Sequence, residues 1–166
     1  MGERLNSWLR TGGFCPFHKE LESVDHSLIS CLFSKVVVSF VSTVYPTVKV
    51  DVLSDPEGSL CHPAGLLTWT GLASHWHMRC AFKKNLTDTQ TPTPTLNQFL
   101  HLWSASLSDW LDLPSSSLTE PILKGFIAGI SSFISGGSFV YSPPQSLQSP
   151  NKGPRMAATF SGLKPN

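Results

Sequence analysis

Charge is scarce in this chain. Asp, Glu, Lys and Arg make up 14% of its 166 residues, against about 25% in an ordinary soluble domain. Lys and Arg nearly cancel Asp and Glu, leaving a formal +1. That balance excludes a nucleic-acid binder acting through bulk positive charge, and equally an acidic-tail protein. Enzymatic signatures are missing too. There is no G-x-S-x-G nucleophile elbow, no phosphate-cradling glycine loop and no H-E-x-x-H. The expectation is a protein that is not an enzyme. No continuous apolar run opens the chain, because Glu3, Arg4, Asn6 and Arg10 interrupt it. A secretory leader is therefore not expected, the compartment is cytoplasmic by default, and reduced thiols follow. Asn85-Leu86-Thr87 is a glycosylation sequon that matters only in a secretory lumen.

What is present is apolar and hydroxyl-rich. Leu, Ile, Val and Phe account for 46 residues and Ser for 24. The apolar content suffices for a partial core, while Pro- and Ser-rich stretches argue against one continuous fold. Residues 19–34 read as a helix, with Leu21, Val24, Leu28, Cys31 and Leu32 at three- and four-residue steps. Val36, Val37, Val38, Phe40, Val41 and Val44 then form a β-branched run suited to a buried strand. Val48, Val50 and Val52 alternate with polar residues, and Asp55-Pro56-Glu57-Gly58 fits a type I turn. Residues 60–82 show no clear period.

Thr95 and Gln98 make a capping box ahead of the stripe Leu96, Phe99, Leu100, Trp103, Leu107, Trp110 and Leu111. Pro114 stops that helix. A second helix starts near Pro121 and ends at Gly136-Gly137. The expected fold class is α+β of low order, a valine-rich strand pair with a C-terminal helical hairpin. Its parts are a loosely organised helix/strand region over 1–84, a Thr/Pro linker over 85–95, the hairpin over 96–137 and a disordered Ser/Pro-rich tail over 138–166.

Two stretches also fit a membrane. Residues 28–45 carry a single charge, Lys35, over the length a span requires. Residues 122–140 contain Gly125-x-x-x-Gly129, a small-residue pair that lets helices approach closely in lipid. A charge near mid-span costs about 3 kcal/mol, and strand plus helix is preferred for the first because valine-dense runs are ordinary strand material. For the second, a buried hairpin helix competes evenly.

Candidate site residues are few. Cys15-x2-His18 and His77-x2-Cys80 pair the donors zinc prefers, and two such pairs can close a tetrahedral Cys2His2 site. They lie about 60 residues apart, outside finger spacings, with Cys61, His62 and His75 between them, and His75-x-His77 would compete for the metal. The competing reading is unrelated thiols and loop histidines, so no cofactor is expected. Phe99, Trp103, Leu107 and Trp110 form a strip that anchors a helix in a partner's groove. The simpler alternative buries them in their own domain. Lys83-Lys84 beside Phe82 and Trp76 reads as a solvated loop, and no nucleic-acid partner is expected. The leading functional reading is a small non-enzymatic protein under weak selection for structure. The alternatives are a membrane-associated protein and a soluble interaction module presenting the 96–112 helix.

Overall fold

The computed structural model describes residues 14–15, 17–18, 20–21, 23–48, 62–85, 93–112, 119–142 and 159–160. Among these, 74% are helical and 4% are in strands, so the α+β strand pair is replaced by a helical fold. After a short π-helical segment, His26–Ser30, come α1 (Leu32–Val44), α2 (Pro63–Asn85), α3 (Leu96–Leu111) and α4 (Thr119–Ile134). Two-residue strands β1 (Phe139–Val140) and β2 (Thr159–Phe160) pair antiparallel, Phe139 opposite Phe160.

The valine run is α1, not a strand. Phe33, Val36, Val37, Phe40 and Val41 also repeat at three- and four-residue steps, and all five are buried while Leu32, Lys35 and Val38 face out. β-Branched residues cost helices only a few tenths of a kcal/mol each, and burying this face outweighs that. The helix read over 19–34 is divided at Cys31, whose ψ of 141° breaks the chain direction. Val50, Val52, the Asp55–Gly58 turn, Pro114 and most of the proposed linker and tail lie outside the described residues.

The periodless stretch is the central helix, α2. His62 accepts the Ala64 N–H at 3.0 Å ahead of the first turn. The helix packs on α1 and on α3, so it is buried on two sides. Its buried faces contain Thr68, Thr70 and Ser74, whose hydroxyls donate to carbonyls of the preceding turn at 2.8, 2.9 and 2.7 Å. Such back-bonding satisfies a buried hydroxyl within its own helix. Two-sided burial and internally satisfied hydroxyls together erase any apolar stripe. Trp103 of α3 donates its indole N–H to Thr70 Oγ1 at 3.2 Å, and Ser74 bonds Ser106 at 3.0 Å.

Helix α3 begins at the capping box, with the Gln98 N–H on Thr95 Oγ1 and the Thr95 N–H on Gln98 Oε1. Helix α4 ends where Gly136 takes a φ of 85°, a left-handed conformation that costs glycine little. The chain then folds back over α4. A Cβ on Gly129 would lie 2.8 Å from Phe139, and one on Gly125 would lie 3.1 Å from Tyr141. The small-residue pair therefore receives the strand that follows it. No helix among the described residues is long and apolar enough to cross a membrane.

An aromatic cluster joins these layers. Phe40 of α1 stacks on Phe139 at 4.3 Å and meets Phe133 of α4 edge-on at 5.3 Å. Trp103 meets Phe126 at 5.2 Å, and Phe33 meets Phe99 at 5.3 Å. Helices α1 and α3 both approach α2 closely at Gly71, where a Cβ would lie 2.7 Å from Val37 and 2.9 Å from Trp103. Gly71→Ala therefore forces α1 or α3 outward and destabilises the fold by about 1–3 kcal/mol. Thermal melts check this, and an unchanged Tm would mean the helices are not held at this spacing.

Candidate metal centre

The segment before α1 is short and sharply turned. The Cys15 N–H donates to the Glu20 carbonyl at 2.7 Å, and Phe14 and Leu21 form an antiparallel bridge. This small hairpin brings His18 Nδ1 to 3.5 Å from Cys15 Sγ. The chain then makes its π-helical segment, closed by the Cys31 N–H on the His26 carbonyl at 2.7 Å. A π turn spans five residues where an α turn spans four, so it sets His26 and Cys31 over one another.

Four donor atoms converge as a result. One ligand atom each from Cys15, His18, His26 and Cys31 lies within 4.8 Å of every other. A tetrahedral zinc with sulfur at ~2.3 Å and nitrogen at ~2.0 Å sets neighbouring donors roughly 3.5 Å apart. Both cysteines and His26 are buried, and His18 is partly so. Both imidazoles turn one nitrogen toward the same carboxylate. Glu20 Oε2 lies 3.1 Å from His26 Nδ1 and 3.5 Å from His18 Nε2. His26 Nε2 is left buried without a hydrogen-bond partner. A carboxylate behind a metal-binding histidine fixes its tautomer and aims the other nitrogen at the metal.

Helix α2 covers the sulfurs. His75 Nε2 lies 3.5 Å from Cys31 Sγ, and Arg79 Nη1 lies 3.7 Å from Cys15 Sγ. Phe17 packs edge-on to Phe33 at 4.9 Å and carries the Arg79 guanidinium over its face at 5.6 Å. The Cys31 thiol on Cys15 holds the Cys15 sulfur well below the ordinary thiol range, with the Phe17 backbone, His26 and Arg79 assisting against burial. The same contact, together with burial, pushes Cys31 up. Burial pushes His75 down to about 4, so its ring is neutral. Ser34 Oγ donates to the Ser27 carbonyl at 2.7 Å and lies 3.2 Å from His75 Nδ1.

Cys31, His75 and Ser34 have the connectivity of a nucleophile, a base and an orienting group. All three are buried. A metal-binding cluster is the chemistry this arrangement supports.

Two of the four metal candidates read from the sequence, Cys15 and His18, stand in the cluster. His77 is exposed and Cys80 half-buried on α2, and neither joins it. Their places are taken by His26 and Cys31. The spacing Cys15-x2-His18-x7-His26-x4-Cys31 was the available signal. Cys61 and the side chains of Lys83 and Lys84 lie outside the described residues, and Asn85 is the last residue of α2. The partner strip is mostly core, with Phe99, Trp103 and Leu107 fully buried and only Trp110 exposed, at 41%. No family model matches the chain, and neither does any curated protein or solved structure.

His75 has a pH consequence in the metal-free protein. Its folded value, about 4, lies below its ordinary 6.5. The stability it contributes is therefore complete above 6.5 and lost as pH falls toward 4. Melts in chelator should show Tm falling across this window, and falling less steeply in His75→Gln. A slope unchanged by that substitution would show that His75 is not held neutral by burial.

Proposed function

We propose that this chain is a non-enzymatic helical module stapled by a structural zinc ion on Cys15, His18, His26 and Cys31. The convergence of two thiols and two imidazoles within 4.8 Å carries the reading. A mixed sulfur–nitrogen tetrahedron suits zinc better than hard cations, which favour oxygen donors. Four protein donors complete the coordination shell. Structural zinc sites are closed in this way, whereas catalytic ones keep a position for water. Burial of the donors and the absence of the common catalytic motifs support the same assignment.

The staple acts on a segment with little core of its own. The hairpin touches the helices through Phe17, Cys15 and the donors, while Phe14 and Leu21 face out. A metal joining Cys15 and His18 to His26 and Cys31 ties this hairpin to the start of α1. Binding to the folded state alone adds stability in proportion to the logarithm of metal concentration over Kd.

The purified full chain should bind one equivalent of zinc, and chelation should lower its Tm by several degrees. Cys31→Ser and His26→Ala should abolish stoichiometric binding, whereas His77→Ala and Cys80→Ser should bind as the parent does. Substoichiometric zinc in the parent, or loss of binding in the His77 and Cys80 variants, would overturn the assignment.

A further inference from the structure

We infer that His75 and Arg79 form an N–H shell over the two zinc-bound thiolates and make the centre slow to react and slow to exchange. This rests on the zinc reading above. The two residues lie four apart on α2, so they occupy one face, a turn from each other. Each addresses a different sulfur, His75 Nε2 at 3.5 Å from Cys31 and Arg79 Nη1 at 3.7 Å from Cys15. Both distances suit hydrogen bonds to sulfur. With Nε2–H turned to the thiolate, His75 Nδ1 is bare, and the Ser34 hydroxyl, 3.2 Å away, turns from the Ser27 carbonyl to donate to it. The ring is therefore able to present Nε2–H to a thiolate.

The chemistry follows from charge. A thiolate is the nucleophile and the metal ligand, and its reactivity tracks the electron density on sulfur. Charge-assisted N–H donors draw on that density. Two thiolates neutralise a zinc dication, and the Arg79 guanidinium is matched by the Glu20 carboxylate on the histidine side of the cluster. The loaded centre is thus neutral as a whole, which a buried site requires. A sulfur bare of N–H donors would react faster with electrophiles and release zinc sooner. His75 and Arg79 are positioning residues that act through the ligands and do not touch the metal.

The test uses the full chain loaded with zinc, cobalt(II) or cadmium-113. Zinc release on treatment with N-ethylmaleimide is followed with a chromophoric chelator. His75→Leu and Arg79→Met keep bulk without the donors, and His75→Gln and Arg79→Lys keep an N–H. The donor-free variants should bind one equivalent of metal but release zinc about tenfold faster, within the range outer-shell changes produce. Their sulfur-to-cobalt charge-transfer band should move to longer wavelength, and the conservative variants should restore both readouts. Should the donor-free variants fail to fold, the unaltered cadmium form decides. A scalar coupling from cadmium to the His75 ring N–H is expected across the hydrogen bond.

Equal release rates and band positions in metal-loaded parent and variants would overturn the inference while leaving the zinc site intact. So would conservative variants no better than donor-free ones, which would mean the side chains only fill space. An absent cadmium coupling would also overturn it. A parent that binds no metal would instead remove the zinc reading itself.

Discussion

Gly71 has no side chain, and the close approach this permits brings α1 and α3 onto α2. Val37 of α1 and the Trp103 ring of α3 both press onto that point of α2, where a Cβ would lie under 3 Å from each. Helix α2 is thereby wedged between its neighbours. The register of its buried stripe is then imposed by helical geometry, since positions four apart share a face. One turn beyond Gly71, His75 meets Cys31 and Ser34. A further turn on, Arg79 meets Cys15. A single stripe of one helix thus runs from the aromatic core into the cluster of donors.

The donor cluster depends on that wedge and on two local backbone devices. The hairpin closed between Cys15 and Glu20 gathers the first two donors, and the π-helical segment gathers the other two. Neither device places the pairs against each other. That juxtaposition comes from Phe17, which packs on Phe33 and beneath Arg79. Buried polar atoms in such a place demand partners. Glu20 satisfies one nitrogen of His26, and a metal would satisfy the other. The same burial that removes the cysteines and His75 from solvent suits them as ligands and ligand supports.

The opposite end of the molecule uses small residues differently. Gly125 and Gly129 form a shallow groove along α4, and Phe139 and Tyr141 lie over it. Phe139 thereby reaches Phe40 and Phe126 and completes the aromatic cluster from the far side. A glycine pair of this spacing suits close backbone approach whatever the approaching element is. Here the element is the chain's own following strand.

Local signals in the sequence determined what local physics controls. The capping box fixes where α3 starts, the glycines after α4 fix where it stops, and Phe99, Leu100, Trp103 and Leu107 of the α3 stripe are buried. Half of the donor cluster was legible in Cys15-x2-His18, because a turn of that length suffices to gather two ligands. The other half was hidden, since Cys31 read as one more apolar position on a helix and nothing in the local pattern singled out His26. Only the tertiary structure decided that the valine run is helical, because its β-branched residues satisfy both periods and burial against α2 chooses between them. Only the tertiary structure made α2 a helix recognisable at all, since a helix buried on two sides with its hydroxyls bonded to its own carbonyls has no polar face to mark it. The same holds for His75 and Arg79, whose partners lie 44 and 64 residues away. Contacts over such separations are set by how helices pack, and that packing leaves no periodic trace along the chain.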